Sequence, residues 1–282
     1  MSTEDIRDLV DRAVGGDKNA LEGVVRSIQD DVYHLAFRML GSRADAEDAT
    51  QEILIQVLTH LAQWRGEASF RTWVWRIGAR QIMRRKKSKD ELECSFEAIE
   101  QVIAAGDANP PVPSISDAEL MILKRELRLA CTEGMLLSLD RDQRIAWILS
   151  EIFELESEEA ARVLDVDAPA LRKRLQRARE RLGAWMHSKC GLVNALNACN
   201  CLRQIPVALE IGAIRPQDLQ FANHPVRQDP PQRKLAVLGA QADAVELAAR
   251  EFTSQPDYAA PESVLAKIRQ IIESKSLKLF DA

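Results

Sequence analysis

Asp45-Ala46-Glu47-Asp48-Ala49-Thr50-Gln51-Glu52, followed a dozen residues later by Trp64-Arg65-Gly66-Glu67-Ala68-Ser69-Phe70-Arg71-Thr72-Trp73, decides how the rest of the chain is read. The periodicity predicts one helix from about Asp45 to Gln63. On its wheel Asp45, Asp48 and Glu52 share one side, while Leu54, Val57, Leu58 and Leu61 share the other. Acidic groups in the first turn suit the positive end of the helix dipole, so a merely solvated face would carry the same residues. The next helix, from about Ser69 to Lys87, says more. Trp73, Arg76, Arg80, Arg84 and Lys87 fall in one stripe, and Val74, Ile77, Gly78 and Ile82 face elsewhere. An aromatic ring among arginines can stack on an unpaired base while the cations hold phosphates, a contact worth ~1–3 kcal/mol per base. Trp64, Phe70, Trp73 and Trp75 equally suit a core, and Phe70 and Trp75 are expected inside it.

Outward from this stretch, charge is sorted along the chain. The 282 residues carry 38 Lys+Arg against 43 Asp+Glu, a net charge of −5. Residues 65–89 nevertheless hold 9 basic groups against 1 acidic, and 171–185 hold 6 against 1, whereas 90–170 hold 6 against 19. Two compact basic blocks in an acidic chain are the footprint of local polyanion contact. No apolar stretch reaches the ~20 residues of a membrane helix, and no apolar leader follows Met1, so no membrane insertion and a cytoplasmic location are expected. Five cysteines, at 94, 131, 190, 199 and 201, are an odd count that fits reduced thiols better than a disulfide framework. Gly-rich phosphate loops, nucleophile elbows and His-Glu-x-x-His motifs are missing, which argues against an enzyme.

The secondary-structure pattern is all-α, with apolar residues recurring every three or four positions and little β-branched alternation. Two helical stretches over 5–40 break near Gly15-Gly16-Asp17. Residues 88–116, with Asn109-Pro110-Pro111-Val112-Pro113-Ser114, read as a linker. A second helical block follows, and 139–182 read as a helix-turn-helix. One helix opens at Leu139-Asp140-Arg141-Asp142, a short one spans Glu158–Leu164, Asp165-Val166-Asp167 turns, and a third begins near Ala168-Pro169. Leu171, Leu175, Ala178, Leu182 and Trp185 form its apolar stripe. Arg172, Lys173, Gln176, Arg177 and Arg179 occupy the outer side, where arginine and glutamine can address base edges in a major groove and lysine holds phosphate.

Both quoted segments closely resemble conserved region 2 of bacterial RNA polymerase sigma factors, and 139–182 resembles their region 4, with Arg174-Leu175-Gln176-Arg177-Ala178-Arg179 the best-matching piece. The order of the two, with no extended region between, resembles the extracytoplasmic-function (ECF) class of the sigma-70 family over roughly residues 5–185. The resemblance implies a transcription initiation factor of two helical domains joined by a flexible linker: region 2 over 1–90, linker 91–116, region 4 over 117–186. It implies that Asp45, Glu47, Asp48, Gln51 and Glu52 dock on the clamp of the β′ subunit of core polymerase. Trp64, Arg71, Trp73, Arg76, Arg80 and Arg84 would then engage the melted −10 element, and Arg172, Lys173, Gln176, Arg177 and Arg179 the −35 element. Promoter DNA and core polymerase are the implied partners, with an anti-sigma factor as a further candidate. The chain departs from the family at Asp165 and Pro169, where glycine or a small residue is usual; Asp165 can adopt a left-handed conformation, so the turn is expected to survive.

Residues 187–282 are an extension with short helices expected near 233–252 and 261–275, and a candidate regulator in cis. His187, Cys190, Cys199 and Cys201 can close a tetrahedral Zn²⁺ site, although no cofactor is required by the reading; a redox pair or plain structural thiols remain alternatives. Two other readings stay open, a helix-turn-helix regulator that binds duplex DNA without polymerase and a metal- or redox-responsive regulator. The first leaves the acidic helix and the Trp73 stripe without a role.

Overall fold

The structure, a computed structural model, describes residues 3–107, 115–222, 224–228 and 244–274. Among the described residues it is helical without β-strands, and no helix there is long and apolar enough to cross a membrane.

Four helices form the first unit: α1 (Thr3–Val14), α2 (Lys18–Leu40), α3 (Arg43–Thr59) and α4 (Phe70–Arg84). Their boundaries follow from local chemistry. The Asp17 carboxylate accepts from the Asn19 and Ala20 amides at 2.9 and 3.2 Å, starting α2. Gly41 ends it at φ 67°, with the Leu137 side chain 2.6 Å from where a Cβ would stand, a position that favours glycine. Ser42 and Ser69 cap α3 and α4 through the amides of Asp45 and Thr72. The helix expected to reach Gln63 stops at Thr59 and continues as a 3₁₀ turn, Leu61–Gln63. Val24, Val25, Ile28 and Leu35 of α2 meet Ile53, Leu54 and Val57 of α3 and Val74, Trp75 and Ile82 of α4 in a closed core.

The residues expected as a linker hold two helices, α5 (Lys89–Glu93) and α6 (Phe96–Asp107); the proline cluster itself lies outside the described residues. Then come α7 (Asp117–Leu137), opened by a capping box between Ser116 and Glu119, α8 (Arg141–Trp147), α9 (Ser157–Leu164) and α10 (Ala168–Lys189). The single helix expected through Phe153 widens into a π-turn over Ile148–Ile152. Glu91 of α5 ties these pieces together, pairing with Arg141 at 2.6 Å and Arg144 at 3.2 Å in a buried cluster. Burial works against its charge, yet the two guanidinium groups outweigh it and hold the carboxyl below its ordinary pKa. Arg144 also donates to the carbonyls of Leu136, Leu137, Leu139 and Met39, satisfying buried carbonyls at the ends of α2 and α7 and in the turn after α7.

The extension does not hang free of these units. Its helices α11 (Cys201–Glu210), α12 (Ala244–Thr253) and α13 (Glu262–Glu273) pack on α6 and α7, on α10, and on α2 and α3 respectively. The part of the first expected extension helix before Ala244 lies outside the described residues. Between the helices, Phe221, His224 and Arg227 and the segment 255–260 pack along α2. The His224 ring stacks on Tyr33 and Phe37, and Tyr258 meets Phe37 edge-on at 4.9 Å between centroids. Glu126 of α7 accepts from the backbone amides of Gln220, Phe221 and Ala222 at 2.6, 3.1 and 2.7 Å. Arg38, fully buried, bonds Glu133 and Gln255. Arg227 reaches Asp31 at 2.6 Å.

Candidate functional site

The α4 stripe is built on an aromatic base. Phe70 lies inside, Trp64 meets it edge-on at 5.2 Å, and Trp73 lies nearly flat on it at 5.8 Å and 25°. The Trp64 Nε1–H donates to the Ala68 carbonyl at 3.1 Å, fixing the loop before α4. Trp73 is half-buried and Trp75 wholly so, stacked at 5.2 Å on Phe153. The wheel therefore separates the two tryptophans as expected. The cations divide. Arg76 and Arg80 reach across to the Asp165 carboxylate at 2.8 and 3.0 Å, while Arg84 is exposed. Arg71 turns away from the stripe, pairing with Asp31 at 2.6 Å and lying 4.4 Å over the Trp75 ring. A cleft of about 560 Å³ opens at the edge of the contact between α4 and α9, with Trp73 and Arg76 on one wall and Arg162 and Asp165 on the other.

Across that cleft stands the helix-turn-helix, α9 and α10. Asp165 ends α9 in the left-handed conformation, φ 58° and ψ 44°, as the sequence allowed. Asp167 caps α10 by accepting from the Ala170 amide at 2.6 Å, and Pro169 sits in the first turn. Leu171, Leu175, Ala178, Leu182 and Trp185 are all buried, which turns Arg172, Lys173, Gln176, Arg177 and Arg179 to solvent. Three of these contact neighbouring acids: Arg172 faces Glu158 at 3.7 Å, Gln176 donates to Glu180 at 2.8 Å, and Arg179 donates to Glu151 from both Nε and Nη2.

On α3, Asp48 and Glu52 are exposed, and Asp45, Glu47 and Gln51 are half-buried. Glu52 pairs with Arg85 at 2.6 Å. Glu47 pairs with Arg43 at 3.5 Å and accepts from the Ser263 hydroxyl at 3.1 Å. The first turn of α13 thus sits on the acidic face.

The cysteines gather, though not as the expected ligand set. Cys190, Cys199 and Cys201 line a cavity of about 350 Å³ with Lys124 and Arg203, and Cys131 joins Cys199 and Cys201 around an apolar one of about 170 Å³. None of the five cysteines is disulfide-bonded. Burial pushes the thiols of Cys131, Cys190 and Cys201 above their ordinary pKa. His187 lines neither cavity; it stays exposed on the last turn of α10, whereas Cys190 leaves the helix at φ −89°, ψ 123° and turns inward. Among the described residues no group of three or more His, Cys, Asp or Glu stands in position to hold a metal ion.

Sequence reasoning missed Asp31, Arg38, Glu126 and Asp165 as partners. Each is a charge whose counterpart lies dozens to hundreds of residues away, and helical periodicity carries no signal for such pairs. Only Asp165 had a local mark, an acidic residue in a tight turn.

Residues 24–91 match the family Sigma-70 region 2, and residues 129–182 match Sigma-70, region 4. Neither interval reaches the extension. The ECF RNA polymerase sigma-E factor of Escherichia coli is 33% identical over 180 residues, spanning 61% of this chain and 89% of that protein. The RNA polymerase sigma-H factor of Pseudomonas aeruginosa is 26% identical over 180 residues, 64% of this chain and 93% of that protein. Among solved structures, CnrH in complex with the cytosolic domain of CnrY shares 23% identity at a TM-score of 0.45, covering 64% of this chain and 96% of that one.

Proposed function

The chain belongs to the ECF class of sigma-70 factors, non-enzymatic initiation factors that direct RNA polymerase to promoters, and we propose that three of its faces divide that work. The acidic face of α3, with Asp45, Glu47, Asp48, Gln51 and Glu52, docks on the β′ clamp of core polymerase. The α4 stripe captures the melted −10 strand: Trp73 stacks on an unpaired base, and Arg76, Arg80 and Arg84 hold its phosphates. The outer row of α10 reads the −35 element in the major groove. Arg71 and Trp64 position this surface from behind, through Asp31 and Phe70. Opening then draws on capture of unstacked bases rather than on a hydrolysed nucleotide. What carries the reading is the half-buried Trp73 ring lying on Phe70 beside two outward arginines, a stacking platform next to cations.

The extension acts in cis on the same faces. Supporting this are the seat of α13 on α2 and α3, where Ser263 bonds Glu47, and the seat of α12 on α10. The extension therefore competes with polymerase for α3, and holds region 4 against region 2.

Reconstituted transcription tests both parts. Core polymerase is supplied with the full chain or with Ile268→Glu, which places a charge in the buried seat of α13. Defined start sites, identical for both proteins but more heavily used with the variant, are expected. No initiation from either, despite duplex binding, sinks the polymerase reading. Equal initiation sinks only the competition by the extension. A companion variant, Trp73→Ala, is expected to lower promoter opening more than core binding; equal loss of both removes Trp73 from its role.

A further inference from the structure

We infer that Asp165 is an intramolecular competitor for DNA phosphate, occupying on Arg76 and Arg80 the place that the −10 strand must take. The inference rests on the α4 reading above and names what regulates that site. Its first support is the backbone. Asp165 sits at φ 58°, where a Cβ is disfavoured and glycine is at ease. The capping duty there belongs to the main chain: the Asp165 N–H bonds the Ala161 carbonyl, and Val166 N–H bonds the same oxygen at 3.1 Å. The carboxylate contributes nothing to the turn that a glycine would lack.

Its second support is where the carboxylate points. Oδ1 takes the Arg76 Nη2 at 2.8 Å and Oδ2 takes the Arg80 Nη2 at 3.0 Å, one oxygen for each of two guanidinium groups one helical turn apart. Two cations spaced along α4 thus share one anion through its two oxygens, each by a charge-assisted bond that a backbone phosphate oxygen can also accept. Glu159 adds a neighbouring contact, accepting from the Thr72 hydroxyl at 2.6 Å. The third support is wetness. The inner part of this interface is dry, with Trp75 stacked on Phe153. At the outer rim, by contrast, the three charged side chains keep 42–63% of their exposure beside the open cleft. Exposed ion pairs are weak and screened by salt, so a strand can displace this one without unfolding either domain.

The test uses the full chain and three variants: Asp165→Gly and Asp165→Asn, both suited to a left-handed turn, and Glu156→Gln. The last removes an equal charge from the start of α9, where Glu156 makes no side-chain capping bond. Binding is read by anisotropy of a fluorescent single-stranded oligonucleotide carrying the −10 sequence of a promoter mapped for this protein. Both Asp165 variants are expected to bind about fivefold tighter than the parent and Glu156→Gln about as the parent; fivefold is about 1 kcal/mol at 1.4 kcal/mol per decade. The salt slope should steepen by about 0.7 for each phosphate contact newly made with counterion release. In parallel, side-chain ¹⁵N resonances of Arg76 and Arg80 without DNA should shift in Asp165→Asn. Unmoved resonances overturn the pairing, and equal oligonucleotide affinity in all four proteins overturns the competition. A gain shared by Glu156→Gln reduces it to bulk charge and overturns it too. No binding by any protein overturns the α4 reading instead, and removes the competitor with it.

Discussion

Glu126→Gln isolates the anchor of the extension on α7. The carboxylate is 2% exposed and accepts four backbone contacts from three consecutive amides, Gln220, Phe221 and Ala222. An amide of the same shape keeps one acceptor oxygen and turns an N–H₂ group toward an N–H donor. Hydrogen bonds to a charged group contribute ~1.5–3 kcal/mol each, and a buried donor left without an acceptor costs ~1–3 kcal/mol more. A loss of about 3 kcal/mol is therefore a cautious figure, roughly a hundredfold in the ratio of docked to undocked extension. The loss propagates, because residues 225–227 and 257–259 are bonded to each other: Arg227 N–H to the Asp257 carbonyl at 2.8 Å and Ala259 N–H to the Pro225 carbonyl at 2.9 Å. The start of α13 follows at once. Amide exchange of 220–222, 224–228 and 255–272 should rise together in Glu126→Gln, and its affinity for core polymerase should rise with them. Faster exchange with unchanged polymerase affinity would refute the view that the extension covers the docking face. Unchanged exchange would refute the anchor itself.

Three further outcomes are expected. His224, buried between Tyr33 and Phe37, has its pKa pushed down to about 4, chiefly by burial. Being neutral when folded and protonated below about 6.5 when unfolded, it contributes stability at pH 7 that is lost as the pH falls from about 6.5 toward 4. Denaturant unfolding at pH 7 and pH 5 should differ by about 2 kcal/mol from this group, and His224→Phe should remove that share of the slope; an unchanged slope refutes it. Arg177→Ala should weaken −35 duplex binding by ~1–3 kcal/mol if the side chain reads a base edge, measured as a relaxed preference at one position, and unaltered preference removes it from the reading row. Glu91→Ala should destabilise the protein by ~3–5 kcal/mol, since it strands Arg144 in a buried site; calorimetry showing less than 1 kcal/mol would mean the carbonyl bonds alone suffice.

How far the sequence reached depended on whether each feature was local. The turn at Asp165-Val166-Asp167, the cap at Asp167 and the buried row from Leu171 to Trp185 were legible because each is written within a few residues of itself. Helix α6 was not. Its proline-bearing surroundings signalled a linker, and its apolar residues Phe96, Ile99 and Ile103 make sense only against α7, α10 and α11, which supply the surface that covers them. The π-turn at Ile148–Ile152 has no glycine or proline to announce it. The acidic row of α3 and the arginines of α4 were identified by type and phase, while their present partners, Ser263 and Asp165, belong to other units of the chain. His187 and Cys190 share a promising spacing, but α10 ends between them, leaving His187 exposed and Cys190 half-buried. Spacing alone could not show where α10 stops.

The seat of α13 on α3 joins residues 216 positions apart, Ser263 to Glu47. Synthesis proceeds at ~5–20 residues per second and early domains fold as they emerge, so the acidic face is complete roughly 10–40 seconds before the helix that covers it exists. Long-range closure is also slow for entropic reasons. Each newly made molecule thus passes through an interval in which the α3 face proposed to dock polymerase is folded and without α13. Occupancy of that face then depends on the timing of translation as well as on the equilibrium of the finished chain.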